Sequence, residues 1–122
     1  MVYLWLALGG ALGTISRYTV SGWVAARYPS FPWGTFTVNI AGALVIGFFL
    51  TLAEERFLIA PEARVFVATG FLGGFTTFST FSWETMALLR DGAFAPALGN
   101  AAGSLLTGLF AVYLGIVLAR LV

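Results

Sequence analysis

Gly70-Phe71-Leu72-Gly73-Gly74-Phe75-Thr76-Thr77-Phe78-Ser79-Thr80-Phe81-Ser82 sits in the middle of a hydrophobic run from about residue 65 to residue 89. It is badly made for an uninterrupted helix. Three glycines fall within five residues, and each costs about 1 kcal/mol against alanine in a helix interior. Thr and Ser hydroxyls follow at a depth where hydrocarbon offers no hydrogen-bond partner. Non-helical backbone survives in a membrane only where protein buries it or where it lines a watery cavity. The stretch therefore predicts a broken helix at an ion or solute site, with one half-helix ending near Gly73 and the next starting near Thr76.

The rest of the chain puts that break in a membrane. Of 122 residues, 60% are hydrophobic and only 9% are charged, against about 25% charged in an ordinary soluble domain. Mean hydropathy is +0.96. The expectation is an all-α integral membrane protein forming one transmembrane domain over residues 1–122. A span needs about 20 mainly apolar residues, and four segments qualify: approximately 2–26, 33–53, 65–89 and 94–121. The first is read as a retained span because no basic region precedes its apolar run. Pro29 and Pro32, the Glu54-Glu55-Arg56 and Pro61–Arg64 clusters, and Arg90-Asp91-Gly92 mark the loops. Trp5, Trp23, Trp33 and Trp83 fall towards span ends, where amphipathic rings favour the headgroup zone.

Composition also excludes chemistry. There is no Cys and no His, which removes thiolate and imidazole catalysis and the usual transition-metal ligands. A net charge of +1 gives no sign of nucleic-acid binding. With four spans, Arg56, Arg64 and Arg120 lie on one side and Arg27 and Arg90 on the other. Orientation follows the Lys/Arg count in short loops, so this balance leaves single insertion and dual topology open. Small residues recur at four-residue spacing in Gly9/Gly13, Ala43/Gly47, Gly70/Gly74 and Gly99/Gly103, a pattern that lets helix backbones approach closely.

Several polar residues fall at membrane depth. Arg17 lies roughly 22 Å along the first helix at about 1.5 Å per residue; it either snorkels, clamps another helix or lines an anion-attracting vestibule. Asn39 serves as inter-helix glue or as a donor to a permeating anion, and Asn100 with Ser104 carries the same ambiguity. Glu84, the only carboxylate inside a span, reads as close to the interface. Phe75, Phe78 and Phe81 step by three along one side of a resumed helix. A half-helix starting near Thr76 points free N–H groups inward, while one ending near Gly73 offers carbonyls, the device of discontinuous-helix ion sites. Donors suit an anion and carbonyls a small cation. Phe ring edges carry positive partial charge and can face an anion.

Gly9-Gly10-Ala11-Leu12-Gly13 with Arg17-Tyr18, Thr37-Val38-Asn39-Ile40-Ala41-Gly42, and the stretch from Gly70 to Ser82 occur in order along the whole chain. In these motifs the sequence resembles the Fluc (CrcB-type) fluoride channel family. The resemblance implies four transmembrane helices with the third broken near its middle, in an antiparallel dual-topology homodimer. It implies two pores that pass fluoride passively, exporting it across the plasma (inner) membrane of a prokaryote. Backbone carbonyls of Gly73 and Thr76 from both subunits would hold a structural Na+. Phe78 and Phe81 would line each path, Asn39 would donate to the ion, and Ser79, Thr80 and Ser104 match the polar track. Arg17 would serve the vestibule or subunit packing, and Glu84 a pore entrance.

Rivals are a small dual-topology proton-coupled drug exporter and a non-transporting membrane scaffold subunit. The first needs a deep carboxylate, and the second leaves the Thr/Ser/Phe array unexplained. An enzyme is disfavoured by the missing His and Cys.

Overall fold

The computed structural model describes residues 1–122, and every regular element in it is helical. We number them α1 (Val2–Arg27), α2 (Trp33–Glu54), α3 (residues 61–75), α4 (Phe78–Arg90) and α5 (Phe94–Arg120). Helix α3 changes character along its length. An α turn over Pro61–Arg64 passes into a wide π-helical segment, Val65–Leu72, and returns to α geometry over Gly73–Phe75. Pro61 opens it, at a position where a missing N–H costs nothing.

Three stretches are long and apolar enough to cross a membrane: Trp33–Glu54, Pro61–Arg90 and Phe94–Arg120. Helix α1 has 26 residues but is the more polar, carrying Thr14, Ser16, Arg17, Tyr18, Thr19 and Ser21. Only 17 of the 122 residues are buried, so most large apolar side chains face outward, where lipid solvates them and water would not. The interior is made of small residues instead. Val38 is the one large side chain that is fully enclosed.

Backbone proximity at glycines organises the bundle. A Cβ on Gly9 or Gly13 would collide with the carbonyls of Phe66 or Phe71, and one on Gly74 would lie 2.7 Å from the Gly10 carbonyl oxygen. Helices α1 and α3 thus meet backbone to backbone. Gly47 and Gly115 do the same for α2 against α5, and Gly34 for α2 against Ser21 of α1. With hydrocarbon on every outer face, such close van der Waals contact is the main force available for helix association. Gly99 and Gly103 face open space instead.

The break falls later than the glycines suggested. The helix continues through Gly73–Phe75, and the backbone becomes extended at Thr76 (φ −96°, ψ 158°) and Thr77 (φ −150°, ψ 121°) before resuming at Phe78. Gly70 and Gly74 admit α1; they do not interrupt α3. What interrupts it is side-chain chemistry at Thr77.

Candidate functional site

Two residues hold the break open. The Thr77 amide donates to Asn39 Oδ1 at 2.8 Å, and Asn39 Nδ2 donates back to the Thr77 carbonyl at 3.0 Å. The Asn39 side chain thus reproduces the pairing of a β-bridge and satisfies backbone groups that the helix has released. Thr77 is also the N-cap of α4: its Oγ1 accepts from the Thr80 amide at 3.2 Å. The Phe78 and Ser79 amides find no acceptor within the chain. On the other side of the break, the carbonyls of Gly73 and Thr76 accept no hydrogen bond, whereas Gly74 receives Arg17 Nε at 2.9 Å. A guanidinium at the end of α3 also complements the negative pole of that helix.

Two cavities adjoin the break. One of about 370 Å³ is lined by Asn39, Gly42, Gly73, Thr76, Thr77 and Phe78, among others. A second of about 340 Å³ is lined by Asn39, Ile40, Phe78, Phe81, Ala101 and Ser104, among others. Asn39 and Phe78 line both, and so form the partition between them. The Phe78 and Phe81 rings lie 5.9 Å apart, tilted by 46°, and Phe78 is 78% exposed. Gly73 and Thr76, whose carbonyls are unpaired, are among the residues that line the first cavity. Phe78, Phe81, Asn39 and Ser104 come together at the second.

A family model described as "CrcB-like protein, Camphor Resistance (CrcB)" matches residues 4–116. The chain belongs to the CrcB-like family. Relatives named fluoride-specific ion channel FluC include the protein of Opitutus terrae, 55% identical over 117 residues, covering 93% of this chain and 89% of the relative. That of Methylocella silvestris is 49% identical over 122 residues, covering 98% and 93%. That of Acidobacterium capsulatum is 43% identical over 121 residues, covering 98% and 97%.

Within this CrcB-like fold the remaining sequence-predicted residues separate. Ser79 and Thr80 sit in the first turn of α4 and do not line the second cavity. The Thr80 hydroxyl is 3.2 Å from Thr77 Oγ1, and Ser79 Oγ is 3.4 Å from it. Thr76 and Ser82 spend their hydroxyl protons on the carbonyls of Leu72 and Phe78, four residues back, so neither is a free donor. Arg17 acts as a clamp between α1 and α3. Glu84 lies midway along α4 with its Oε1 buried and without a partner in the chain. An oxygen so placed turns to water, an ion or a second molecule.

Sequence reasoning missed Thr77. Its only local signal is a hydroxyl residue one place before a helical segment; the partner that gives it meaning, Asn39, lies 38 residues away. The π-helical segment has no such signal at all. An oxygen set of backbone carbonyls is the donor type that hard cations take, and Gly73 and Thr76 supply it without a competing internal donor.

Proposed function

We propose that this CrcB-like chain is a fluoride-specific passive ion channel that lets cytoplasmic fluoride out of a prokaryotic cell across its plasma (inner) membrane. The observation that carries this reading is the convergence of Asn39, Phe78, Phe81 and Ser104 on one cavity directly beyond the helix break. Fluoride is small and strongly hydrated, so a pore must replace lost water with hydrogen-bond donors and positive ring edges. Its sites must also let the ion leave. One hydrogen of the Asn39 amide is committed to Thr77, which leaves the other to meet an ion. A membrane potential, negative inside, drives the anion outward by about 2.3 kcal/mol per charge per 100 mV, so no energy coupling is needed. No chemical step belongs to this scheme; the protein is a channel and not an enzyme.

The functional unit is an antiparallel, dual-topology homodimer of four-span subunits with two pores. The near-equal arginine balance supports insertion both ways. Helix α1 serves as the fourth span, and its backbone contacts with α3 support that role. The exposed Phe78 and the open cavity at Gly73 and Thr76 support a second subunit there. The Gly73 and Thr76 carbonyls of both subunits would hold a structural Na+, which would supply positive charge that offsets repulsion between nearby anions.

The test is efflux. Purified protein in fluoride-loaded liposomes should release fluoride to an electrode once a potassium ionophore relieves charge build-up, and should release chloride far more slowly. Phe78→Ala and Phe81→Ala should slow fluoride release greatly while remaining folded. No release, or equal chloride release, would remove the channel assignment. Cysteines placed singly in the loops at residues 55–60 and 91–93 should be labelled from both sides of the membrane; one-sided labelling would refute dual topology.

A further inference from the structure

Asn100 is buried, 3% exposed, yet it does not line either cavity at the break. It joins α5 to α4 through an ordered series of hydrogen bonds. Ser104 Oγ donates to Asn100 Oδ1 at 3.4 Å, Asn100 Nδ2 donates to Thr85 Oγ1 at 2.8 Å, and Thr85 Oγ1 donates to the Phe81 carbonyl at 2.8 Å. Both ends of this series belong to residues that line the second cavity, Ser104 and Phe81. At its first link the Ser104 proton is directed at Asn100 Oδ1, so Ser104 offers an approaching ion its lone pairs. For an anion that is the wrong polarity.

We propose that Asn100 is a positioning residue that reverses this polarity, its amide turning over to free the Ser104 proton for the ion. An asparagine amide has nearly the same shape at its two ends, one a donor and one an acceptor. Turned over, Nδ2 donates to Ser104 Oγ and Oδ1 accepts the Thr85 hydroxyl proton. The Phe81 carbonyl loses only a second donor, since it remains in the helical ladder of α4. All groups stay satisfied, and the Ser104 proton now faces the cavity. The 3.4 Å link lies beyond the usual range for an O–H···O bond, so the series opens first at Ser104, where the ion arrives. Hydrogen bonds in series also polarise one another, so the buried amide strengthens the donor that Ser104 presents.

This rests on the fluoride-channel reading, and the experiment separates the two. Fluoride efflux from liposomes is compared for the wild type, Asn100→Ala, Ser104→Ala and the double variant. Asn100→Ala should slow efflux about tenfold in the native background and by less than about twofold beside Ser104→Ala, the signature of two residues acting as one. Equal losses in both backgrounds would reduce Asn100 to a packing residue and overturn the proposal. A second readout does not depend on flux. The chain has two asparagines, Asn39 and Asn100, so ¹⁵N-asparagine labelling of the full protein in nanodiscs gives two side-chain amides to follow. The Asn100 signal, assigned with Asn100→Ala, should shift on fluoride titration, and Thr85→Val should abolish that shift. A fluoride-insensitive Asn100 amide would overturn the proposal; wild-type protein that releases no fluoride would overturn the channel reading itself.

Discussion

Asn39→Ala tests the central element of the fold, because two hydrogen bonds from one side chain hold the break between α3 and α4. The substitution strips the Thr77 amide of its 2.8 Å acceptor and the Thr77 carbonyl of its 3.0 Å donor. An orphaned buried group costs about 1–3 kcal/mol, while polar contacts between membrane helices average at the lower end of such values, about 0.6–2 kcal/mol. Two bonds at about 1–2 kcal/mol each give about 2–4 kcal/mol. Amide hydrogen exchange reads this directly at one site. If opening at Thr77 is eased by that amount, its exchange quickens about 30- to 1,000-fold, at 1.36 kcal/mol per decade. Asn39→Asp separates the two bonds: an ionised carboxylate still accepts from the Thr77 amide but cannot donate to the carbonyl. Thr77 protection should therefore survive in Asn39→Asp to a greater degree than in Asn39→Ala. Unchanged exchange at Thr77 in a folded Asn39→Ala protein would refute the idea that this side chain maintains the break.

Three further tests address the packing and the ends of the bundle. Gly13→Ala drives a methyl group into the Phe71 carbonyl and should lower stability to denaturing detergent by about 1–3 kcal/mol. Gly22→Ala on the same helix meets open space and should be neutral or gain up to about 1 kcal/mol; similar effects for the two would contradict the close-packed α1–α3 seam. Arg17→Met removes a charged donor from the Gly74 carbonyl and should cost about 1.5–3 kcal/mol in the same assay, with Arg17→Lys retaining part of it through its charge at the α3 terminus; equal stability of all three proteins would release Arg17 from its clamping role. At the chain's end, the Arg120 guanidinium hydrogen-bonded to Glu55 holds that carboxyl below its ordinary range. A depressed pKa contributes stability that is present above the unfolded value and is lost as pH falls through the folded one. Protection of the amides in the last turn of α5, taken relative to their intrinsic exchange at each pH, should therefore fall on acidification below the usual carboxylate range, and Glu55→Gln should lower it at neutral pH and flatten the pH response; a wild-type profile in Glu55→Gln would exclude the pair.

Much of the molecule is legible residue by residue. Apolar runs of span length report helices because a bilayer forces every backbone group to be satisfied locally. The small residues at Gly9/Gly13 and Gly70/Gly74 announce close helix contact, and they deliver it. The same glycines mislead about where the helix ends. Their intrinsic helical cost of about 1 kcal/mol each is offset by the backbone contact they permit with α1, so α3 runs on to Phe75. Asn39, Phe78, Phe81 and Ser104 were identifiable as polar or aromatic groups at membrane depth, and they line one cavity. Ser79 and Thr80 belong to the same sequence pattern, yet helical rotation keeps them off its wall. Asn100 was visible only as a polar residue of undecided role, since its meaning depends on Thr85, 15 residues away on another helix.

The sequence alone determined that this is a helical membrane protein without the side chains for thiol or imidazole chemistry, and that its polar work is concentrated between Gly70 and Ser82. Those properties are sums over residues, and a bilayer reads sums. The position of the break, the pairing of Asn39 with Thr77, and the direction of the hydrogens at Ser104 were decided by tertiary structure. Each depends on which donor lies within about 3 Å of which acceptor, and no property of a single segment sets that distance.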